Sequence, residues 1–495
     1  MFTETWRRRW GLRQAPFAHE DADHDPLLDR VDSWAVHPSY ERLVDLNGGP
    51  SSAVIFGERG SGKSALRRSV AKGLKADGKS LTVEVTDVDP WLEIFKLQAG
   101  QGKQRANGFA RLDRADLIDL MLSAATMRLG ESLKAEPSRL KKLSSSQRAE
   151  LCLLVAAYHA DFEGDREEQV SHLLSASRPW WKSAGRAVFA LLGAAGCLVP
   201  LVQLGGRISI EPSATMPVAL VGAGMLGLMA AHSLWRTLMA RRAMGRITAE
   251  MRITAPDRRL MRRALTVLPR SSAPVLTQGA ETREDGRYRL LQGLIQLVRE
   301  MGWSGLELLV DRIDESTLLQ ARVDCMGSFI DPVLEHKLLQ LDGLGLKLFL
   351  PVELTPMVRG AGPDRLRRMR LDKATLVDEM RWSGQELLEL ADRRLVAASN
   401  GPATCLGELL GEDLDLVEMK DALHTLGTPR LAFAFLRDLF EDHARELPDD
   451  LPRDSADWRV SRGAFERQRA ASSDRARTLR RVMRQTSVIR GTVES

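Results

Sequence analysis

The stretch of residues 51–70, "SSAVIFGERGSGKSALRRSV", decides the fold because it combines three local patterns in one order. The apolar run 54–56 predicts a short buried strand, and "ALRRSV" begins a helical pattern. Between them, residues 57–64 read "GERGSGKS" and fit the spacing G-x-x-x-x-G-K-[ST]. A strand, a glycine-rich loop and a helix in this order are the context that a phosphate-binding loop requires. The stretch therefore predicts a P-loop.

The residues of this loop have separate expected roles in holding a nucleoside triphosphate. The glycines let backbone N–H groups approach the phosphates, and the N-terminus of the following helix adds positive potential. Lys63 is expected to reach the β- and γ-phosphates, and the Ser64 hydroxyl is expected to bind Mg²⁺. The residues expected to hold the nucleotide are Gly57, Gly60, Ser61, Gly62, Lys63, Ser64 and Ala65.

A P-loop needs an acidic partner at the end of a second buried strand, and "SGLELLVDRIDES" supplies one. The apolar run 306–310 ends at Asp311, which is the candidate Mg²⁺ ligand beside the P-loop serine. Asp314 and Glu315 follow, and either carboxylate is a candidate to polarise the attacking water. Arg312 stands where many ATPases carry a catalytic glutamate. The base assignment therefore stays open, and hydrolysis is expected to be slow.

Two further segments predict strands of the same sheet. One lies within "LTVEVTDVDP", residues 81–90, and the other is "LGLKLFLPVEL", residues 344–354. In a parallel sheet the second segment is expected beside the first strand, which would place Glu353 or Thr355 near the γ-phosphate. With covering helices, these segments predict an α/β core.

Beyond residue 372 the pattern turns helical and predicts a lid. Within it, "GTPR" forms a turn that opens an amphipathic helix. Arg430, the last residue of this turn, is the candidate lid arginine aimed at phosphate.

Together these motifs resemble the additional-strand ATPases, the AAA+ and STAND group. "VDRIDE" is similar to the D-G-h-D-E signature of NACHT-type STAND ATPases and to the D-D-L-D-R of KAP ATPases. "WGLRQAPF" is similar to the opening of ExeA- and TniB-like AAA ATPases. The resemblance covers residues 10–100 and 286–447. It implies a parallel sheet ordered 5-1-4-3-2, ATP-driven oligomer switching, a sensor role for Arg430, and an arginine finger from a neighbouring subunit.

Two uncharged runs lie between the halves of this core. Residues 187–206, "AVFALLGAAGCLVPLVQLGG", would span about 30 Å as a helix, the thickness of a bilayer's hydrocarbon core. Residues 212–235 form the second run, and tryptophans and arginines flank the pair on both sides. A hairpin buried in a soluble domain is the alternative, but neither run has a polar face at helical spacing. We therefore predict a transmembrane hairpin, as inserted between the two Walker motifs in KAP ATPases.

The composition fits an intracellular protein of several domains. The chain has 495 residues and a formal net charge of +5. Its four cysteines are far apart, which argues against a disulfide framework or a zinc site and favours a reducing compartment. The basic start, "MFTETWRRRWGLRQAPF", lacks the apolar region of a secretory signal. From residue 448 the chain forms a basic tail, for which nucleic acid or lipid headgroups are candidate ligands.

The expected fold is α/β, a parallel-sheet P-loop ATPase core with a helical lid and an inserted two-helix transmembrane hairpin. The expected segments are an N-terminal segment (1–50), the first core half (51–110), a helical insert (111–186), the hairpin (187–235), a cytoplasmic return (236–285), the second core half (286–371), the lid (372–447) and the basic tail (448–495).

The expected function is a membrane-anchored ATPase that binds and hydrolyses ATP with Mg²⁺ to switch conformation or oligomeric state. Its ATPase domain would face the cytoplasm at the inner membrane, with a lipid bilayer, further copies of the chain and an effector protein as partners. The resemblance implies a role in bacterial signalling or phage defence. Two alternatives remain open: a soluble AAA-type ATPase acting on DNA through the basic tail, and a slow ATP sensor.

Overall fold

The computed structural model describes most of the chain. The residues outside its description are 1–3, 20, 31–36, 45–48, 100–111, 161–165, 178–187, 189, 196, 199–211, 268–281, 321, 335–336, 360–374, 378, 400–404, 449–450, 453 and 492–495.

The described chain is mainly helical around one parallel sheet. Its strands are β1 (Ala53–Gly57), β2 (Leu81–Val85), β3 (Leu306–Val310), β4 (Leu344–Pro351) and β5 (Thr375–Val377). Its helices are α1 (Glu4–Arg9), α2 (Leu27–Arg30), α3 (Ser39–Leu43), α4 (Lys63–Asp77), α5 (Asp89–Ala99), α6 (Arg114–Ala135), α7 (Ser145–Tyr158), α8 (Arg166–Ser177), α9 (Pro212–Glu250), α10 (Arg258–Val267), α11 (Arg283–Glu300), α12 (Val323–Leu334), α13 (Thr355–Arg359), α14 (Gly384–Ala398), α15 (Leu416–Leu426), α16 (Pro429–Glu446) and α17 (Arg462–Gly491).

The strand order is β2-β3-β4-β1-β5, which is the order 5-1-4-3-2 implied by the family resemblance. β1 pairs in parallel with β4, from Ala53 opposite Lys347 to Gly57 opposite Pro351. Every residue of β1, β3 and β4 is buried, as expected of the central strands of a parallel sheet, and the charged residues Glu307 and Lys347 are buried with the rest. The predicted α/β class and the four predicted strands are therefore confirmed.

The fifth strand corrects the expectation that the chain is helical from residue 372. Residues 375–377 form β5 and pair in parallel with β1, from Ala53 opposite Thr375 to Ile55 opposite Val377. The strand has only three residues, so it is too short to show a period of its own. The helical pattern after it is correct, since α14 begins at Gly384.

The chain forms two compact units. Unit 1 comprises residues 1–87, 309–327 and 334–495, and unit 2 comprises residues 88–308 and 328–333. The core of unit 1 joins the P-loop strand to α14, α15 and α16 and to the first turn of α17, where Phe465 is fully buried. The start of the basic tail is therefore ordered on unit 1, and Trp6 near the N-terminus donates its indole N–H to the carbonyl of Trp458 at 3.2 Å.

Unit 2 contains the predicted helices of the insert. Each of α6 and α7 begins with a capping box, at Asp113 and Ser144, which satisfies backbone N–H groups of the first turn. Residues 115–126 of α6 are all buried or nearly so, so this helix lies in the centre of unit 2. Its two fully buried aspartates, Asp116 and Asp119, lie against the guanidinium of Arg283.

Among the residues that the structure describes, unit 2 also holds one helix that is long and apolar enough to cross a membrane. It is the 27-residue segment Met216–Arg242 of α9, with a mean hydropathy of 1.6, and only 6% of its most apolar window is buried in the protein. In a soluble protein such a helix would be expected to pack into a core.

The predicted two-helix hairpin is supported only in its second half. In the first run, the described residues 188, 190–195 and 197–198 are helical. A Cβ at Gly193 would lie 3.0 Å from the side chain of Leu226 in α9, so the two runs are in contact there. The predicted hairpin tip, residues 207–211, and the basic flank at 178–186 lie outside the described residues.

Candidate functional site

The P-loop is built by the turn that joins β1 to α4. Gly60 and Gly62 have φ angles of +86° and +93°, where a side chain would be strained. Gly62 is also the residue that precedes the helix, so α4 begins at Lys63 with its first backbone N–H groups facing the loop. The glycines of the motif are therefore required by the backbone conformation itself.

The side chain of Lys63 folds back onto this loop. Its Nζ donates to the carbonyl oxygens of Gly57, at 2.7 Å, and Glu58, at 3.1 Å. Burial lowers the pKa of Lys63, and four carboxylates oppose this effect, in decreasing order Asp314, Asp311, Glu353 and Glu315. The structure thus brings the P-loop lysine together with the acids that follow β3 and β4.

Asp311 lies at the end of β3 and is only 1% exposed. Its backbone N–H donates to the carbonyl of Val85 at 3.0 Å, and its carboxylate lies beside the Ser64 hydroxyl, which acts on its charge. Burial raises the pKa of Asp311, while Ser64, Arg67 and Lys63 hold it down. The two residues predicted to bind Mg²⁺ therefore lie beside each other in the wall of one cavity.

The residues around Asp311 fit a magnesium ion. Asp311 Oδ2 is buried and accepts no hydrogen bond within the described part of the chain, although it lies 3.3 Å from Nε of Arg67. A carboxylate oxygen and a hydroxyl oxygen side by side are hard ligands of the kind Mg²⁺ prefers, and Mg²⁺ keeps its other positions for water and phosphate.

Arg312, the residue after Asp311, is held by the N-terminal segment. It adopts a left-handed backbone conformation with φ +62°, which is strained for a residue with a side chain. Its guanidinium lies 2.5 Å from a carboxylate oxygen of Asp21 and 2.9 Å from one of Asp23. A third, longer ion pair joins it to Glu315 at 3.7 Å.

The same N-terminal segment forms two more buried ion pairs. Asp23 lies 2.5 Å from Arg67, which also contacts Glu84 and Asp311. Asp25 lies 2.6 Å from Arg394 of α14, and both side chains are only 3% exposed. Sequence reasoning missed this role of "HEDADHD", residues 19–25, because the partners are up to 369 positions away, from Asp25 to Arg394. The one available signal is that three acids at alternate positions are unusual in an ordinary loop.

The P-loop, the N-terminal segment and the lid enclose a cavity of about 270 Å³. Its lining contains the P-loop and the acids after β3 as well as apolar side chains, among them Phe17, Leu28, Leu390 and Phe433. Polar groups that suit phosphates and apolar side chains that suit a flat base are the two kinds of lining that a nucleotide needs.

The lid is hydrogen-bonded directly to the P-loop. Trp382 donates its indole N–H to the carbonyl of Ser61 at 2.7 Å, and the backbone N–H of Arg430 donates to the carbonyl of Gly60 at 3.3 Å. Thr428 caps α16 by accepting from the N–H of Leu431, which fixes the turn that carries Arg430. Arg430 Nε is buried and makes no hydrogen bond among the described residues. A buried, unpartnered guanidinium N–H facing this cavity suits an anionic ligand.

The structure places the predicted site residues as follows. Those that line the cavity are Gly60, Gly62, Lys63, Ser64, Ala65, Asp311, Asp314, Glu315 and Arg430. Gly57 and Ser61 lie behind them, where their carbonyls accept from Lys63 and Trp382. Glu353 and Thr355 are not among the lining residues, although the negative charge of Glu353 opposes the lowering of the Lys63 pKa. Sequence reasoning also missed Trp382 and His37 in the cavity wall.

No protein-family model, curated protein or solved structure matched the chain. Any functional conclusion therefore depends on the residues described above.

Proposed function

We propose that the chain is a membrane-anchored ATPase that binds and hydrolyses ATP with Mg²⁺ and changes conformation or assembly as it does so. The observation that carries this proposal is that Ser64, Asp311 and the buried amine of Lys63 line one cavity at the carboxyl edge of a sheet ordered 5-1-4-3-2. That edge is where parallel α/β sheets bind their ligands.

The residues of the cavity divide between binding and chemistry. The N–H groups at the start of α4 and the ammonium of Lys63 would hold the β- and γ-phosphates, and Arg430 would approach them from the lid. Ser64 and Asp311 would hold Mg²⁺, which when bound neutralises charge on the phosphate oxygens. On binding, the phosphates would take over the contacts that Lys63 now makes to its own loop.

Asp314 is the better candidate to orient the attacking water. It lines the cavity, and its charge opposes the lowering of the Lys63 pKa. Glu315 is half exposed and is drawn toward Arg312 by an ion pair. Arg312 replaces the glutamate of faster ATPases, so turnover is expected to be slow.

The membrane anchor is proposed from α9 and its contact with the preceding apolar run. A 27-residue apolar helix is long enough to cross a bilayer. A second span is needed to keep the two halves of the P-loop site on one side of the membrane, and the helical residues around Gly193 are the candidate for it.

The catalytic part of the proposal is tested by ATP turnover of the purified full chain. Lys63→Ala is expected to lower turnover by about a hundredfold or more, because it removes the charge that meets the phosphates. Lys75→Ala is the matched control, since Lys75 lies on the same helix and pairs with Glu84 at the surface. Equal turnover of wild type and Lys63→Ala would mean that this loop does not support hydrolysis.

The membrane part is tested by alkaline carbonate extraction. The wild-type chain is expected to stay in the membrane pellet. A variant with Gly224→Arg and Leu228→Arg is expected to be released, because an arginine at the centre of a span costs about 2.5–3.5 kcal/mol on insertion scales. Release of the wild-type chain would show that α9 does not anchor it.

The described part of the basic tail argues against the DNA-acting alternative. Four arginines of α17 each have an acidic partner on the protein: Arg462 with Glu418, Arg467 with Asp442 and Glu446, Arg469 with Glu466, and Arg475 with Asp438. Arginines paired in this way offer less charge to a phosphate backbone. The slow-sensor alternative is kept, since the ion pairs of Arg312 favour it.

A further inference from the structure

We propose that α10 is a binding surface for anionic phospholipid headgroups at the base of the membrane anchor. This inference rests on the membrane anchoring proposed above and adds the lipid class that the anchor contacts. It is carried by four arginines of one short helix, Arg258, Arg259, Arg262 and Arg263.

The helix α10 has one buried apolar face and one exposed basic face. Leu260, Met261 and Ala264 are buried against the rest of unit 2, where α10 packs on α7 and α8. On the other side, Arg258, Arg259 and Arg263 are exposed and Arg262 is half-buried. The face that α10 turns to solvent is therefore almost entirely guanidinium.

These arginines are not neutralised by the protein. Within the part of the chain that the structure describes, none of the four guanidinium groups has an acidic partner or a hydrogen-bond acceptor. The nearest acid in sequence, Asp257, caps the helix instead, accepting from the N–H groups of Arg259 and Leu260 at 2.6 and 3.2 Å. In contrast, the four arginines of α17 whose side chains the structure describes each have a carboxylate partner, as described above.

The physics of an isolated helix disfavours this arrangement. Arg258 and Arg262 are neighbours at i,i+4, as are Arg259 and Arg263, so two like-charge pairs repel each other. Arg258 and Arg259 also lie in the first turn, where the helix dipole disfavours cations. Such a cluster is stabilised when an external polyanion covers it.

The position of α10 favours a lipid surface as that polyanion. α10 packs against α9, the helix with the exposed apolar span. Along α9 the side chains are mostly exposed until Ala240, which is only 4% exposed, so the span joins unit 2 at about that residue. Arg241 and Arg242 follow directly and are exposed. We therefore assign the unpaired arginines of α10 to the end of α9 that would lie among the lipid headgroups. Basic residues are expected at that end of a membrane span.

The test uses the full chain purified in a neutral detergent. Short-chain phosphatidylglycerol is titrated against phosphatidylcholine of the same acyl length, and the thermal unfolding midpoint is followed, since a ligand of the folded state raises it. Wild type is expected to respond to phosphatidylglycerol and not to phosphatidylcholine. The response is expected to vanish at about 1 M salt, where charges are screened beyond about 3 Å.

The variant R258Q/R259Q/R262Q/R263Q is expected to bind phosphatidylglycerol about 600-fold more weakly, since each guanidinium near an anionic surface contributes about a factor of five. The variants R258Q/R259Q and R262Q/R263Q, which are less disruptive, should each lose about a factor of twenty-five on the same basis. The matched control R462Q/R467Q/R469Q/R475Q removes the same number of charges from α17 and should bind as wild type does.

Three outcomes would overturn the inference. They are no response of wild type to phosphatidylglycerol, an equal loss in the α17 control, and a response to duplex DNA at lower concentration than to phosphatidylglycerol. Carbonate extraction separates this inference from the proposed anchor. The α10 variants should remain in the membrane pellet. Release of the wild-type chain would contradict the proposed anchor, whereas the detergent titration would still test lipid binding by itself.

Discussion

At the residue scale, the candidate site depends on some contacts that lie within local sequence patterns and on others that join distant parts of the chain. Lys63, Ser64 and Asp311 could be predicted because each lies within a short local pattern of strand, loop and helix. Asp21 and Asp23 could not, because their partner Arg312 lies 291 positions from Asp21 in the chain. Long-range ion pairs leave no local period, so only the three-dimensional structure shows that the N-terminal segment belongs to the site.

Asp21 carries the first prediction. It adds a negative charge to the cavity and holds Arg312 at 2.5 Å. Asp21→Asn is expected to tighten ATP binding several-fold at low salt, because it removes repulsion of the phosphates and frees the guanidinium. Titration of ATP against tryptophan fluorescence measures this, with Asp77→Asn at the far end of α4 as control. Unchanged or weaker binding would mean that Asp21 only fastens the N-terminal segment.

Protonation of Asp311 gives a second prediction. Because burial raises its pKa, the carboxylate that would hold Mg²⁺ is lost on acidification at a higher pH than for an ordinary aspartate. The affinity for Mg·ATP is therefore expected to fall as the pH is lowered toward that pKa. Calorimetric titration at several pH values checks this. ATP without Mg²⁺ is the control and should show a weaker dependence.

At the scale of elements, the sequence identified the strands that bury an apolar run and missed the short edge strand. β1 to β4 have five or more residues and continuous burial, or nearly so, whereas β5 has three half-buried residues. An edge strand buries less and therefore needs less apolar sequence. β5 is recognised as a strand by its pairing with β1. A segment of three residues does not reveal that pairing in its own sequence.

The contact between lid and P-loop gives a third prediction. A Cβ at Gly60 would lie 2.8 Å from Cβ of Arg430, at a backbone φ of +86°. Gly60→Ala is expected to lower the unfolding free energy of unit 1 by about 1–2 kcal/mol through backbone strain alone, and to push the lid away from the loop. Denaturant titration and ATP affinity measure the two effects. Gly49→Ala, which has open space around it, should change neither.

A fourth prediction concerns α6 and α11 in unit 2. Burial raises the pKa of Asp119 to about 7, although Arg287 lies 2.6 Å from its carboxylate. A raised pKa means that the folded state binds the proton more tightly than the unfolded state. The stability contributed by this proton is therefore present at low pH and is lost as the pH rises through about 7.

The thermal unfolding midpoint is therefore expected to fall between pH 5 and pH 8, values that lie on either side of the pKa of about 7. In Asp119→Asn this fall should be smaller. An equal fall in both proteins would mean that Asp119 stays ionised beside Arg287.

At the scale of the whole molecule, composition predicted an apolar insertion in a charged protein, and α9 confirms that one such helix exists. Its exposure could not be known in advance, because a core helix and a membrane span have similar composition. The low buried fraction of the span is the observation on which the proposed membrane anchor rests. The division into two units also could not be predicted, since it follows from contacts between distant segments.

The central claim is that one chain both resides in a bilayer and uses its P-loop to hydrolyse ATP. Flotation of native membranes in high salt, with ATP turnover assayed across the gradient for wild type and Lys63→Ala, tests both parts at once. Turnover is expected to float with the lipid for wild type and to be absent for Lys63→Ala. Turnover that stays with the soluble fraction, or that Lys63→Ala retains, would contradict the claim.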